Sequence, residues 1–166
     1  MAQAGKIKIR AREHYELHSI KIDNQNLKYS GLSNTINVWY EVPFKYSFGV
    51  FISPIIGKTP INDKKNSNLL GDQIQIFNLG LEFKKYIPLF NKEQFFYRTG
   101  LSWIKIKSEG QSEDLNGLGL YLGFGYEFKY KRMGIAPEFA MRYGVLESNN
   151  SITSVTPSIG FHFYKL

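Results

Sequence analysis

The sequence predicts an all-β protein: an eight-stranded antiparallel up-and-down barrel that crosses a membrane and has a polar, plugged lumen. Three observations lead to this fold. Apolar and polar residues alternate in eight segments, turn-rich connections separate these segments, and glycine takes many positions on their less apolar face. Successive side chains of a strand point to opposite faces, so each segment is predicted to be a strand with one apolar face.

The composition indicates one domain, which we expect to span residues 1–166. The net charge is +7, but the charged residues are scattered along the chain, so no nucleic-acid partner is expected. The absence of cysteine excludes disulfides, thiol nucleophiles and cysteine-ligated metals. No run reaches the roughly 18–20 apolar residues that a membrane helix needs.

The predicted strands are each about 12 residues long, which suits the roughly 9–11 tilted residues that span a bilayer. They cover about residues 6–18, 31–42, 46–57, 73–84, 95–106, 117–128, 134–145 and 152–164. The connections at 43–45, 85–94 and 129–133 are predicted to be short links, and those at 19–30, 58–72, 107–116 and 146–151 to be longer polar loops. Short turns at one end and longer loops at the other are typical of bacterial outer-membrane barrels.

The strictest alternation, GLGLYLGFGYEF at 117–128, decides which face is inside. Its leucines and aromatic residues share one face, and the other face is mostly glycine with Glu127. The interior of an eight-stranded barrel is only wide enough for side chains to fill it, so it cannot hold every large ring of the eight apolar faces. The apolar face is therefore predicted to contact lipid, and the small residues to line the lumen.

The aromatic residues of the apolar faces sort by height into two predicted girdles, as expected of a membrane barrel. Trp103 and Tyr143 lie near the loop end, together with Tyr15 and Phe77. The girdle near the short-turn end consists of Tyr40, Tyr46, Phe83, Phe95, Tyr97, Tyr126, Phe128 and Phe163.

The inward faces carry charges of both signs, which predict an ion-paired plug, because unpaired charges in a narrow lumen are costly. Strand adjacency pairs Glu41 with Lys8 or Arg10, Glu82 with Arg98, and Glu127 or Glu138 with Arg142. The predicted network comprises Lys8, Arg10, Arg12, Glu16, Glu41, Glu82, Lys84, Arg98, Glu127, Glu138 and Arg142. A gated pore, or carboxylates acting as acid and base, is the alternative.

The three histidines, His14, His18 and His162, raise the question of a metal site or a catalytic base. His14 and His162 face inward on strands that become adjacent on closure, but their predicted heights differ, so they are not expected to converge. A role in the polar network is favoured, because only two ligands are in view. We predict no metal site, no cofactor and no catalytic residue.

Two features break the pattern of the lipid face. Pro137 and Pro157 lie on adjacent strands, and because proline has no N–H the ladder between these strands is a candidate lateral opening; a bend or bulge is the alternative. Glu13 falls outward near Asn34, where a charge costs up to about 2–4 kcal/mol at the bilayer midplane and less near an interface.

The whole chain resembles the small eight-stranded outer-membrane proteins of the OmpA transmembrane-domain and OmpX type. Its final strand, SVTPSIGFHFYKL, resembles the signal read by the barrel-assembly machinery, except that Lys165 and Leu166 follow the terminal aromatic residue, Tyr164. The resemblance implies a monomer in a bacterial outer membrane, with both termini in the periplasm and with outer-membrane lipids and lipopolysaccharide as its surroundings.

Such barrels range from anchors to adhesins and enzymes, so the resemblance says little about function. We expect a non-enzymatic structural or surface-interaction protein that acts through its external loops, where a host or surface ligand is a candidate partner. The loop end is basic, through Lys58, Lys64, Lys65, Lys105 and Lys107. The alternatives are a lipid-modifying enzyme, of the lipid A acylation or deacylation type, with lateral access near the two prolines, and a narrow gated pore. The deacylase pattern of a closely spaced His and Ser on one strand is absent from GIAPEFAMRYG.

Overall fold

A computed structural model describes residues 6–22, 25–42, 46–58, 70–89, 92–109, 113–130 and 133–164. The strands are β1 (Lys6–Ile22), β2 (Gln25–Val42), β3 (Tyr46–Lys58), β4 (Gln73–Leu89), β5 (Lys92–Ser108), β6 (Leu115–Tyr126), β7 (Phe128–Tyr130), β8 (Met133–Leu146) and β9 (Ser151–Tyr164). One 3-10 turn, Glu147–Asn149, connects β8 to β9. In the described part of the chain, no helix is long and apolar enough to cross a bilayer.

The strands form one closed antiparallel barrel in chain order. β6 and β7 are two parts of one barrel strand, because both pair with β8 and only Glu127 separates them. β1 pairs with β2 on one side and with β9 on the other, which closes the sheet. The prediction of an eight-stranded barrel with buried polar residues is therefore confirmed. Closure leaves no free edge strand, as a sheet in lipid requires.

The strands are longer than predicted, and the expected loop at 19–30 is wrong. β1 and β2 form one continuous hairpin, whose register runs from Lys6 opposite Glu41 to Ile22 opposite Gln25. The link expected at 85–94 is likewise mostly strand, because β4 continues to Leu89 and β5 begins at Lys92.

The hairpin at 19–30 looks like a loop in the sequence because its alternation is inverted. Up to His18, the inward residues of β1 are polar; beyond it, Ile20 and Ile22 point inward and are buried, while Lys21 points outward. The same inversion occurs at Leu27 and Tyr29 of β2. A wall in lipid needs an apolar exterior and a wall in water a polar one, so the inversion marks one edge of the apolar belt.

The part of the barrel beyond this edge has its own apolar core. We call this part the extension; it comprises residues 19–22, 25–30, 55–58, 70–76, 104–109, 113–117 and 146–153. Its buried core consists of Ile20, Ile22, Leu27, Tyr29, Ile55, Leu70, Ile74, Ile76, Ile104, Ile106, Leu146 and Ile152, with Leu115 packed against it. Each such side chain contributes roughly 1.5–3 kcal/mol on burial, so the extension is a folded continuation of the barrel and not a loop cluster.

The segment before β4 folds over this core. Leu70 is fully buried, and Gly71 has a φ of 79°, a conformation that glycine adopts without steric cost. The Tyr29 hydroxyl donates a hydrogen bond to the Gly71 carbonyl at 3.0 Å. Burial, with the nearby Asp72 charge, raises the pKa of Tyr29 to about 12, so this donor keeps its proton at physiological pH.

Replacing a core residue of the extension is expected to destabilise the whole barrel. Ile74→Ala removes a fully buried side chain and should lower the free energy of unfolding by about 2–5 kcal/mol. Urea unfolding of the refolded protein in detergent, followed by tryptophan fluorescence, measures this change. The outward Ser19→Ala is the control, with a shift within about 0.5 kcal/mol. Equal effects of both substitutions would mean that the extension does not pack as described.

Candidate functional site

The centre of the lumen is a buried cluster of charges around Glu138 and Glu82. The Glu138 carboxylate contacts Arg10 and lies 3.4 Å from Arg12 Nη1 and 3.1 Å from Arg98 Nε. The Glu82 carboxylate accepts hydrogen bonds from Arg98 Nη1 at 3.0 Å, from the Asn37 amide and from the Tyr121 hydroxyl. Six strands (β1, β2, β4, β5, β6 and β8) supply these groups, so the pairs tie opposite walls of the barrel together.

A second cluster lies nearer the extension, around Glu16. Its carboxylate lies 2.6 Å from His14 Nε2, 3.7 Å from His18 Nε2 and 3.5 Å from Arg142 Nη1. His18 Nδ1 in turn lies 2.8 Å from Ser154 Oγ. His14 and His18 thus belong to the polar network of the lumen. Among the described residues, no group of three or more His, Cys, Asp or Glu is placed to hold a metal ion.

The expected pairing of Arg142 with Glu127 or Glu138 is wrong. Arg142 lies opposite Ser154, and Ser154 lies opposite His18 of β1. Glu16 is the next inward residue of β1, so this register places Arg142 beside Glu16. Glu138 lies four residues away along β8, opposite Ser158, and the Ala140–Thr156 row lies between the two. Adjacency of strands does not determine these partners, because the register between strands decides which residues share a row.

The remaining charges lie towards the short-turn end. Lys8 Nζ lies 2.5 Å from Glu41, and Lys84 Nζ lies 3.4 Å from Glu127. The Tyr86 hydroxyl also donates to Glu127.

Aromatic rings surround Lys84, a contact that the sequence analysis did not predict. Its ammonium lies 4.7 Å from the ring centre of Trp39, 4.5 Å from that of Tyr86 and 3.9 Å from that of Phe96. Rings at these distances attract a buried cation. A sign of this contact was present in the sequence, because Trp39 falls on the polar face of its strand.

Glycines of the lumen face lie directly opposite large rings. Gly80 pairs with Phe51 and Gly100 with Tyr121 across neighbouring strands. A Cβ at Gly80 would lie 2.6 Å from the Phe51 ring, and one at Gly100 would lie 2.5 Å from the Tyr121 ring. The rings fill the space that glycine leaves, which explains the glycine-rich inner face.

The predicted girdle residues are all exposed or half-buried on the outer surface. Some of them form a row across β3, β4 and β5: ring centres lie 5.6 Å apart for Tyr46 and Phe83 and 6.2 Å apart for Phe83 and Tyr97. Phe77 and Trp103 are likewise 6.2 Å apart near the extension.

The predicted opening between the strands of Pro137 and Pro157 is wrong. Their ladder is continuous, with Pro137 opposite Ile159 and Phe139 opposite Pro157. The interruption lies instead between β1 and β9, where no pairs occur between the His14–Ser158 and Leu17–Val155 rows. Pro157 stands at this gap, so its missing N–H belongs to the side that faces β1.

A second interruption lies on the other side of the β1–β2 hairpin, at Pro54 of β3. Side chains bridge this one. Ser33 Oγ donates to the Pro54 carbonyl at 2.8 Å, and Thr35 Oγ1 donates to Ser53 Oγ at 2.7 Å. No comparable side-chain bond spans the gap at Pro157 in the described residues, where Ser158 Oγ and His14 Nδ1 are buried without a hydrogen-bond partner.

Glu13 and Asn34 face each other across β1 and β2 and are exposed on the outer surface, as expected. The side chain of His162, the lysines at 64 and 65 and residues 165–166 lie outside the described residues. The backbone of His162 pairs with Arg10, about four residues along β1 from the row of His14.

No protein family and no curated protein matches the sequence. Solved structures match its fold. Neisserial surface protein A (NspA) aligns at 13% identity over 96% of this chain and 97% of its own, with a TM-score of 0.68. Ail, the attachment invasion locus protein of Yersinia pestis, aligns at 18% identity over 97% of this chain and 100% of its own, with a TM-score of 0.54.

OprG, an outer membrane protein from Pseudomonas aeruginosa, aligns at 14% identity over 99% of this chain and 98% of its own, with a TM-score of 0.53. Ail has also been solved in complex with the heparin analogue sucrose octasulfate, and that structure aligns with a TM-score of 0.54. This chain therefore has the fold of the small eight-stranded outer-membrane β-barrels.

The fit between glycines and rings gives a direct test of the lumen. Gly100→Ala should lower the free energy of unfolding by about 1–3 kcal/mol, because its Cβ would collide with the Tyr121 ring and with the Leu81 carbonyl. Gly123→Ala is the matched control, since the nearest atoms to its Cβ would be Arg98 Nε at 3.0 Å and the Ala140 Cβ at 3.1 Å, with no ring and no backbone atom among the three nearest. Urea unfolding in detergent compares the two, and a Gly123→Ala loss as large as that of Gly100→Ala would contradict the packing.

Proposed function

We propose that this protein is a bacterial outer-membrane barrel that neither conducts ions nor catalyses a reaction, and that binds anionic polymers through its extension. The observation that carries the proposal is the extension itself: a packed core beyond the apolar belt, with lysines on its outer surface. The proposal places the extension outside the cell and both chain termini in the periplasm.

The apolar belt supports a membrane location. Leu32 is 74% exposed, Leu118 72% and Leu81 65%, and such residues occur on every strand of the barrel wall. Soluble proteins rarely expose a contiguous apolar patch larger than a few hundred Å². A surface of this kind is stable in lipid.

The filled lumen supports a barrel without conduction. The cavity between the Glu16 cluster and the central cluster, lined by Arg12 and Tyr121 among others, has a volume of about 10 Å³. This is room for about one water molecule. The apolar core of the extension lies in line with the charged layers, so an ion would have to cross buried Ile and Leu side chains as well.

The buried Ser154 argues against an enzyme. Ser154, His18 and Glu16 lie in series, as a nucleophile, a base and an acid would. However, Ser154 and Glu16 are fully buried and His18 is 3% exposed, between the charged cluster and the apolar core. A substrate has no access to this serine, so the three residues support the lumen network.

The lysines of the extension form the proposed polymer-binding surface. Lys21, Lys28 and Lys58 project outward from three neighbouring strands, and Lys105 and Lys107 from β5. Lys105 hydrogen-bonds Asp114 at 2.6 Å and holds the pKa of that carboxyl below its usual range. Because β1, β2 and β3 are neighbours in the barrel, Lys21, Lys28 and Lys58 lie close together and are the candidates for sulfate or phosphate groups. The heparin analogue bound by Ail is a ligand of this chemistry on the same fold.

Removing the three lysines should weaken polymer binding. In vesicles of zwitterionic lipid, Lys21→Gln, Lys28→Gln and Lys58→Gln together should lower heparin affinity at least about tenfold at low salt, with the difference fading above about 0.5 M salt. Lys85→Gln, at the short-turn end, is the control. Lipopolysaccharide added to the vesicles should compete if lipid phosphates use the same lysines. No binding by the unaltered protein, or an equal loss in the control, would refute the proposal.

Electrical recording tests the closed lumen. The refolded protein in a planar lipid bilayer should give no stepwise conductance, because among the described residues the charged clusters and the apolar core of the extension occupy the lumen. Steady channels on the order of a nanosiemens, which exceed what a lumen of this width passes, would show that the plug opens.

A further inference from the structure

A groove of about 430 Å³ crosses the edge of the apolar belt on the outer wall of β9, β1 and β2. The belt ends within it: along β1 the outward residues change from Leu17 to Ser19, and along β9 they change from Val155 to Thr153. Tyr15 lines the end that lies within the belt. The groove therefore has an apolar half in lipid and a polar half at the membrane surface. Its volume lies in the range of small-ligand sites, about 300–1,000 Å³.

The polar half presents two serine–lysine pairs. Ser19 of β1 lies opposite Lys28 of β2, and Ser30 of β2 lies opposite Lys58 of β3 at the margin of the groove. All four residues point outward; the lysines are exposed and the serines are half-buried. Lys28 and Lys58 are diagonal neighbours on adjacent strands, about 7–8 Å apart, so their long side chains can contact one group between them. The serine hydroxyls supply further hydrogen-bond donors on the same surface.

The charge of this groove favours an anion. Among the described residues that line it, none is acidic. The opposite wall differs. There, Lys105 lies two residues beyond the girdle residue Trp103, and the Asp114 carboxylate lies 2.6 Å from the lysine ammonium. An anionic ligand is therefore attracted to the serine–lysine pairs more strongly than to the surface around Lys105.

The two halves together determine the class of ligand. A charged polymer in water does not enter the apolar belt, whereas a lipid has a phosphate at the belt edge and an acyl chain below it. The phosphate does not have to descend into the hydrocarbon, because both serine–lysine pairs lie on the polar side of the edge. A zwitterionic lipid brings its own cation beside the lysines. A phosphomonoester has no such cation and carries about 1.5–2 negative charges, which two lysines neutralise.

We propose that this groove binds one lipid with a phosphomonoester head group. The phosphate contacts Lys28, Lys58 and the serine hydroxyls of the two pairs, and an acyl chain lies against Leu17 and Val155. The inference rests on the proposed function and deepens it: two of the three lysines of that surface also hold a lipid, and Lys21, two residues farther from the belt than Ser19, is left to the polymer.

Native mass spectrometry of the full refolded chain tests this site. The probes are phosphatidic acid and phosphatidylcholine with identical acyl chains, supplied together in detergent micelles. The unaltered protein should retain one phosphatidic acid at least about tenfold better, because each lysine near a charged membrane surface contributes about fivefold. Lys28→Gln combined with Lys58→Gln should retain both lipids equally. Both lysines are exposed, so their replacement leaves the packed core intact.

Two controls make the test specific. Lys105→Gln removes an outward lysine from the opposite wall and should keep the preference, because Asp114 already neutralises that lysine. Glycerol 3-phosphate has the phosphomonoester without the acyl chains, and in large excess it should not displace the bound lipid. Displacement would show a site for free phosphate and not for a lipid.

Four results would overturn the site: equal retention of both lipids by the unaltered protein, a preference that survives the double replacement, a preference lost in Lys105→Gln, or displacement by glycerol 3-phosphate. Heparin binding in zwitterionic vesicles separates this site from the proposed function. A chain that binds heparin but shows no lipid preference refutes the site alone. A chain that prefers phosphatidic acid but does not bind heparin refutes the polymer proposal alone, and a chain that fails to insert refutes both.

Discussion

The width of an eight-stranded lumen is the constraint on which this structure depends. Such a barrel has room for about one layer of side chains, so every large inward group needs a small one opposite it. Gly80 makes room for the Phe51 ring and Gly100 makes room for the Tyr121 ring. Gly160 makes room for the Arg10 side chain. The charged groups that remain have little access to water and therefore neutralise one another, as Glu138 does among three arginines.

The medium outside the wall then divides the barrel along its axis. Where lipid surrounds it, the wall is apolar outside and polar inside; beyond His18 water replaces lipid and the two faces exchange roles. The extension is stable for the reason a soluble barrel is stable, through a core of isoleucine and leucine. In the proposed function, this packed continuation places lysines where phosphate or sulfate groups meet the membrane surface, and it blocks the lumen at the same time.

Proline has a different effect on each side of the β1–β2 hairpin. At Pro54 the hydroxyls of Ser33, Ser53 and Thr35 replace the missing ladder bonds, so the wall is restored. At Pro157 hydroxyls are also present, but no hydrogen bond between described side chains spans the gap, and the wall has a groove with Glu13 at its edge. The same loss of an N–H thus yields a wall bridged by side chains in one place and a groove in the other.

The sequence by itself determined the fold and the orientation of its faces. Alternation is a local property, and the small volume of the lumen forces the large apolar side chains to face lipid. It also placed Glu13 and Asn34 on the outer surface and the charges of Glu82 and Arg98 inside. Only the tertiary structure decided the partner of Arg142, the position of the gap and the length of the first hairpin. Partners across the lumen depend on the register of several strands at once, and the gap depends on which neighbour the proline nitrogen faces. Residues 19–22 and 25–30 are strand because their inverted pattern packs against distant strands.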